Sequence, residues 1–245
     1  MKTLIIIPSR MSATRLPGKP LLKINGQSII SHVVKRAESA EIGDVVVATE
    51  DQEIINDVKN NGGNAILTSK NHKTGTDRIY EALNILGVSD IDFIMNLQGD
   101  EPLMSIDDIK NLHNQMIKTK SEIGTLASEI SDKKNTFVNQ NIVKVITKEN
   151  FDNSEFPEAL NFKRKISNET KNTYHHLGIY CYKFETLKKF ASLDQTENEI
   201  YNKLEQLRAL DNKIKINVAF AKSSSIGVDT MEDFVAIKKI MEYKS

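Results

Sequence analysis

Three cations follow the first apolar run of the chain. The run at residues 4–7 leads into a loop that carries Arg10, Arg15 and Lys19. Like charges repel at this spacing unless an anion lies between them, and arginine and lysine are the side chains that bind phosphate oxygens. The segment lacks the two-glycine spacing and the Lys-Ser/Thr pair of a Walker P-loop. We interpret it as a polyphosphate-binding loop, against the alternative of a solvated basic loop.

A second polar group follows another apolar run. Residues 91–97 lead into Gln98-Gly99-Asp100-Glu101-Pro102. The glycine allows a ligand to approach the backbone closely. A lone carboxylate near phosphates is typical of a Mg²⁺ site, because Mg²⁺ keeps several waters and uses few protein ligands. We predict that Asp100 binds Mg²⁺; the alternative is that it is the N-cap of the following helix.

The elements that must position these residues follow an alternating pattern. Short apolar runs at 4–7, 45–48, 65–67 and 91–97 alternate with helical periodicity around 29–37, 54–58, 79–86 and 106–116. This alternation predicts an α/β fold with a largely parallel central sheet and helices on both faces. Ligands of such sheets bind at the carboxyl ends of the strands, where both polar groups lie.

The second half of the chain is less regular. Strands are predicted at 124–130, 142–146, 174–182 and 213–219, with one helix over 197–210 and a closing helix over 231–243. Residues 147–173 are polar with little periodicity, and we interpret them as an excursion that could pack against a second subunit. Because no repeat or composition break is present, we expect a single domain over residues 1–245.

The composition excludes several classes of protein. The 33 basic and 33 acidic residues give a net charge of zero, whereas a general nucleic-acid binder carries a basic excess. The one cysteine, Cys181, cannot form an intrachain disulfide. No apolar run approaches the length of a membrane span, and the first run is too short for a signal peptide. We expect a cytoplasmic protein with no membrane or nucleic-acid partner.

Further motifs make a family resemblance specific. Arg10 and six motifs occur in one order over nearly the whole chain: Arg15-Leu16-Pro17-Gly18-Lys19-Pro20-Leu21, Thr74-Gly75-Thr76-Asp77-Arg78, Asn96-Leu97-Gln98-Gly99-Asp100-Glu101-Pro102, His176-Leu177-Gly178-Ile179-Tyr180, Leu204-Glu205-Gln206-Leu207-Arg208 and Gly227-Val228-Asp229-Thr230. Together they resemble the sugar-activating cytidylyltransferases. The resemblance implies a Rossmann-like nucleotide-diphospho-sugar transferase fold and a homodimer.

The resemblance also implies a reaction and a set of site residues. CMP would pass from CTP to the anomeric hydroxyl of 3-deoxy-D-manno-octulosonate (Kdo), releasing pyrophosphate and giving CMP-Kdo for lipopolysaccharide synthesis. The implied catalytic residues are Lys19, Arg15 and Asp100, and the implied Mg²⁺ ligands are Asp100 and Asp229. The implied nucleotide-binding residues are Arg10, Arg15, Lys19, Thr74, Gly75 and Arg78. The implied sugar-binding residues are Gln98, Arg164, His176, Tyr180, Glu205 and Gln206.

Several of these residues could instead have ordinary structural roles. Glu205 and Arg208 could form a surface ion pair, Asp229 could cap the last helix, and His176 and Tyr180 could be core residues. The chain also departs from the family pattern at Lys163, where a serine is usual, and at Asn202, where a glutamate is usual. These departures motivate an alternative, a cytidylyltransferase for an amino-Kdo or another ulosonate. An alternative of another class is a non-catalytic nucleotide-binding homologue.

Overall fold

The computed structural model describes residues 1–12, 15–72, 74–166, 171–223 and 227–243. The chain divides into two compact units, one formed by Met1–Ile109 with Ser225–Ser245 and the other by Lys110–Ser224. The second unit is therefore inserted in the sequence of the first. No helix among the described ranges is long and apolar enough to cross a membrane.

The first unit is built on a parallel sheet. Its elements are β1 (Thr3–Ser9), a 3-10 helix (Lys19–Leu21), β2 (Lys23–Ile24), β3 (Gln27–Ser28), α1 (Ile29–Ser39), β4 (Asp44–Thr49), α2 (Gln52–Asn60), β5 (Ala65–Leu67), α3 (Gly75–Leu86), β6 (Phe93–Asn96) and the start of α4 (Ile106–Thr119). The four long strands lie in the order β6-β1-β4-β5, and all three pairings are parallel. This confirms the predicted alternation of strands and helices.

Strand β1 lies between β6 and β4 and is buried on both faces. Ile5, Ile6 and Ile7 are fully buried, so both faces of the strand are covered, as is usual for parallel strands. Ile5 lies opposite Val45 on one side and Met95 on the other. The carboxyl ends of β1 and β6 are therefore neighbours, and the two polar segments predicted to bind ligand leave the sheet side by side.

The second unit contains both parallel and antiparallel strand pairs. Its elements after α4 are β7 (Ile123–Ser128), α5 (Lys133–Val138), β8 (Lys144–Thr147), β9 (Ala159–Lys163), β10 (Thr173–Lys183), α6 (Phe184–Ala191), α7 (Glu197–Asn202), α8 (Gln206–Asp211) and β11 (Ile216–Phe220). Strand β11 pairs with β7 in parallel, and β7, β10, β8 and β9 follow in antiparallel order. The chain then returns to the first unit with α9 (Met231–Tyr243).

One prediction for this unit is corrected. The single helix predicted over 197–210 is two short helices, because Lys203 takes a left-handed conformation (φ +52°) that ends α7. The 147–173 segment, interpreted as an excursion, contains β9, which pairs with β8. The segment is joined to β11 as well, since Val218 N donates to Pro157 O at 2.9 Å. Residues 167–170 of the segment lie outside the described ranges.

Candidate active site

A cavity of about 390 Å³ opens at the carboxyl ends of β1 and β6. Nine of the predicted site residues line it: Arg10, Arg15, Lys19, Thr74, Gly75, Arg78, Gln98, Asp100 and Asp229. They come from four separate stretches of the sequence, all within the first unit. The fold thus brings together every residue predicted to bind nucleotide or metal, together with one residue predicted to bind sugar.

Lys19 is the electrostatic centre of this cavity. Its ammonium bonds the Asp100 carboxylate and lies 3.3 Å from Asp229 Oδ1. Arg15 Nη2 donates to the other oxygen of the same carboxylate, Asp229 Oδ2, at 2.6 Å. Because one ammonium contacts both carboxylates, Asp100 and Asp229 converge on a single position that suits a cation.

The conformation of the first loop places Lys19 there. Gly18 has φ +75°, a left-handed conformation that glycine adopts without strain, and it directly precedes the 3-10 helix that begins at Lys19. Gly18 N donates to Met11 O at 3.0 Å and closes the loop. Met11 N in turn donates to Asp51 Oδ2 at 2.7 Å, just before α2. The two ends of the loop are therefore held together, and its entry is anchored to Asp51.

Asp100 is positioned by the glycine before it. A Cβ atom at Gly99 would lie 3.0 Å from Pro8 O, a contact so tight that glycine is favoured where the segment after β6 approaches the end of β1. The alternative that Asp100 caps the next helix is not supported, since Ser105 Oγ accepts the bond from Asp108 N at the start of α4. The Asp100 carboxylate is directed to Lys19 instead.

Asp229 reaches the cavity from the far end of the sequence. Val228 N donates to Asp100 O at 2.9 Å, which holds the 227–229 segment against the loop after β6. Helix α9 is capped by its neighbours: Thr230 Oγ1 accepts from Asp233 N at 3.2 Å, and Asp233 Oδ2 accepts from Thr230 N at 2.9 Å. The cap predicted as an alternative for Asp229 is therefore supplied by Thr230, and the Asp229 carboxylate faces Lys19 and Arg15.

The N-terminus of α3 forms another wall. Thr74 and Asp77 make a reciprocal capping box, so the Thr74 hydroxyl is bonded to its own helix and Gly75 opens the first turn. The free backbone N–H groups of a first turn favour anions. Four residues into the motif, the Arg78 guanidinium pairs with Glu50 and donates to Thr68 Oγ1 at 2.6 Å.

Sequence reasoning missed one residue that lines this wall and one that supports it. His72 lines the cavity and its ring bonds the Glu81 carboxylate. Burial raises the pKa of Glu81, but the bonds from His72 and from Ser69 N outweigh that effect, so its pKa lies below the ordinary value. Glu50 anchors Arg78. The sequence could have indicated His72, because it lies two residues before the Thr74 motif. Nothing in the sequence around Glu50, which directly follows β4, indicates that it contacts Arg78.

The other five predicted sugar-binding residues lie in the second unit. Arg164 is occupied by backbone carbonyls: Nε donates to Asn202 O at 2.9 Å and Nη2 to Lys203 O at 2.9 Å, at the end of α7. His176 and Tyr180 contact each other, with their ring centres 5.5 Å apart. Burial raises the pKa of Tyr180, whose phenol is therefore neutral. Glu205 and Gln206 begin α8.

A buried ion pair fixes the orientation of α8. Arg208 Nε and Nη2 donate to Glu199 Oε2 and Oε1 at 2.8 and 2.6 Å, and the Arg208 guanidinium stacks over Phe190 at 5.1 Å. Arg208 thus forms a buried pair with Glu199 rather than an ion pair on the surface. This pair joins α7 to α8, the helix that carries Gln206.

A family model described as cytidylyltransferase matches residues 4–216. This chain belongs to the cytidylyltransferase family. The sequence-based resemblance is confirmed.

Within the family, the chain is similar over its whole length to 3-deoxy-manno-octulosonate cytidylyltransferases. The protein of that name from Thermodesulfovibrio yellowstonii is 41% identical, with 98% of each chain covered. The one from Rhodopseudomonas palustris (strain BisB18) is 39% identical, covering 99% of this chain and 98% of the relative.

The solved structures agree with the sequence comparisons. A CMP:2-keto-3-deoxy-manno-octonic acid synthetase in complex with CTP superposes with a TM-score of 0.89 at 32% identity, with all of both chains covered. A 4-diphosphocytidyl-2C-methyl-D-erythritol synthase from Anaerococcus prevotii shares the fold at a TM-score of 0.65 and 13% identity. The predicted nucleotidyltransferase fold is thereby confirmed.

Proposed function

We propose that this protein transfers CMP from CTP to the anomeric hydroxyl of Kdo. The observation that carries the proposal is the single cavity lined by nine predicted residues, in a chain that matches 3-deoxy-manno-octulosonate cytidylyltransferases over its full length. The hydroxyl oxygen forms a bond to the α-phosphorus while the bond from that phosphorus to the bridging oxygen breaks. Pyrophosphate leaves with the bond electrons, and the hydroxyl proton is released.

The charges of the cavity suit this reaction. Four cationic side chains line it, against the two carboxylates of Asp100 and Asp229. A triphosphate is strongly anionic, and so is the sugar acid, so their mutual repulsion must be offset before they can meet. Lys19 would stabilise negative charge at the α-phosphate and Arg15 charge on the departing pyrophosphate.

Asp100 and Asp229 are suited to hold Mg²⁺. They converge on one cation position, now filled by the Lys19 ammonium, and among the described residues no group of three His, Cys, Asp or Glu forms a richer site. Two carboxylates with phosphate oxygens and water are a usual ligand set for Mg²⁺. Mg²⁺ held there would offset charge on the triphosphate and lower the pKa of the attacking hydroxyl. Engagement of the carboxylates by Mg²⁺ would release Lys19 from both, leaving its ammonium available to phosphate.

We extend the proposal to the cellular setting that the family resemblance implies. The protein would act in the cytoplasm, where CTP is available, as a homodimer. Its product, CMP-Kdo, would serve lipopolysaccharide synthesis.

The activity is tested by pyrophosphate release from CTP in the presence of Mg²⁺ and Kdo. Lys19→Ala should lower kcat by about 10²–10³-fold, the loss typical of removing one group that stabilises transition-state charge. Lys23→Ala, which removes an exposed lysine four residues away, is the matched control and should keep full activity. Near-normal turnover by the Lys19 variant would refute its role. A panel with amino-Kdo and other ulosonates tests the sugar, and faster turnover of any of these would refute Kdo as the substrate.

The metal assignment has its own test. Asp100→Asn and Asp229→Asn should each weaken Mg²⁺-dependent binding of CTP, measured by titration calorimetry at several Mg²⁺ concentrations. Asp44→Asn, at an exposed position at the start of β4, is the control. An unchanged Mg²⁺ dependence in either cavity variant would remove that residue as a ligand.

A further inference from the structure

The antiparallel pairing of β7 and β10 is irregular beside His176. Leu177 lies opposite Leu126, but Tyr180, three residues further along β10, lies opposite Thr125, the adjacent residue of β7. The extra residues form a bulge, a device that redirects side chains and recurs next to binding sites. The side chains of His176 and Tyr180 flank this bulge.

The Thr125 hydroxyl lies inside the bulge and is fully buried. Its Oγ1 is 2.7 Å from Ile179 O and 3.2 Å from Leu177 O, the two carbonyls that the bulge presents to it. The same oxygen is 3.0 Å from His176 Nε2. The hydroxyl therefore has three polar neighbours but only one proton to donate.

Counting that proton assigns the tautomer of His176. The shortest contact joins two oxygens, and a carbonyl can only accept, so the hydroxyl proton must point at Ile179 O. The Thr125 oxygen is then an acceptor toward His176, and Nε2 must carry the hydrogen. In a neutral imidazole the other nitrogen, Nδ1, is then unprotonated.

The surroundings of the ring keep it neutral. His176 is 7% exposed, and Phe162 packs edge-on against it with ring centres 4.9 Å apart. Burial, reinforced by the neighbouring His175, lowers the pKa of His176 to about 3. At neutral pH the ring therefore has one donor, which Thr125 occupies, and one acceptor.

We propose that Thr125 is a positioning residue that fixes His176 as the Nε2–H tautomer, so that His176 binds the sugar acid by accepting a hydrogen bond from a sugar hydroxyl at Nδ1. The statement about the sugar rests on the proposed function; the tautomer does not. A neutral acceptor cannot bind a carboxylate, so His176 selects the hydroxyl-bearing part of the substrate. The acid group must be bound by other residues.

The tautomer is measured directly by long-range ¹H–¹⁵N correlation spectra of the full-length protein with labelled histidine, at pH 7. The chain has five histidines, and His176→Asn identifies the signal of interest. We expect a protonated Nε2 and an unprotonated Nδ1. A protonated Nδ1, alone or together with Nε2, would overturn the proposal whatever the enzyme turns over.

The role toward the sugar is tested by kinetics of Thr125 variants. Thr125→Val removes the hydroxyl at nearly constant volume and should raise the sugar KM about tenfold, the effect of one hydrogen bond, while the CTP KM stays unchanged. Thr125→Ser keeps the hydroxyl and should keep both the spectrum and the KM. An unchanged sugar KM in the valine variant, or an equal rise in both KM values, would overturn the role.

The spectrum and the kinetics distinguish failure of the tautomer assignment from failure of the proposed function. If the wild type shows the Nε2–H tautomer but transfers no CMP to Kdo, the proposed function is refuted together with the hydroxyl contact, and the tautomer assignment stands. If the valine variant does not fold, the wild-type spectrum still decides the tautomer, and Thr125→Ala, which also lacks the hydroxyl, replaces the valine variant in the kinetic test.

Discussion

The ion pair between Glu199 and Arg208 provides the sharpest prediction of stability. The side chains are only 4% and 2% exposed, and two parallel hydrogen bonds join them. Glu199→Gln keeps the shape of the side chain but removes the carboxylate charge that pairs with the buried Arg208 guanidinium. Breaking a buried pair from one side costs about 3–5 kcal/mol. One bond from the neutral amide oxygen to the guanidinium can remain, so we expect the lower end, about 3 kcal/mol.

Urea unfolding at pH 7 measures this cost. With an m-value of about 2–3 kcal/mol/M, a loss of about 3 kcal/mol lowers the midpoint by about 1 M or slightly more. Glu185→Gln is the matched control, because Glu185 pairs with Lys188 on the exposed surface of α6 and such pairs contribute less than about 1 kcal/mol. A midpoint for the Glu199 variant equal to that of the Glu185 variant would refute the reasoning.

The pH dependence provides an independent check. Burial raises the pKa of Glu199, but the bonds from Arg208 and Gln195 outweigh it, so the pKa in the folded state lies below the ordinary 4.5. A carboxyl with a lowered pKa contributes stability above its unfolded pKa and loses it as the pH falls through the folded value. The difference between wild type and Glu199→Gln should therefore be constant near neutrality and shrink below about pH 4.5. A difference that grows on acidification would contradict the assignment.

Two further variants test close contacts elsewhere in the chain. Gly99→Ala places a Cβ atom 3.0 Å from Pro8 O, so we expect a loss of about 1–3 kcal/mol in urea unfolding and lower turnover, since the following aspartate moves with the loop; full activity at unchanged stability would show that the loop has room. Lys144→Met removes a fully buried ammonium that donates to three backbone carbonyls at 2.6–2.7 Å. We expect it to lower the free energy of unfolding by about 1–3 kcal/mol. The control, Lys163→Met on the exposed side of β9, should lower it by less than about 0.5 kcal/mol. Equal midpoints for the two lysine variants would contradict this account.

The sequence predicts the first unit well because its signals are local. Strands β1, β4 and β6 are mainly apolar runs buried on both faces, and the polar segments after β1 and β6 follow their strands directly. Once the strands are parallel, the edge at which Lys19 and Asp100 meet is determined by the topology. Asp229 could be placed only by family resemblance, because nothing near it in the sequence shows that Val228 bonds Asp100.

The second unit was harder to predict because its structure depends on distant contacts. Periodicity over 197–210 indicates one helix, but Lys203 adopts a left-handed conformation that its residue type does not favour. The break lets Arg208 turn back to Glu199, and no local pattern encodes that pairing. Lys144 is similar, since a lysine in a strand normally faces solvent, and only the carbonyls arranged around it explain its burial.

The bond between Val228 and Asp100 also bears on how the protein folds. Joining these segments closes a loop of 128 residues between the two carboxylates that face Lys19. The entropic free-energy cost of closing a flexible loop of that length is about 4 kcal/mol by (3/2)RT ln n. The intervening chain is almost entirely the second unit, which is compact by itself. If that unit folds first, the loop is no longer flexible and most of the entropy has already been lost. Synthesis from the N-terminus favours this order, because the residues of the second unit emerge before Asp229 does.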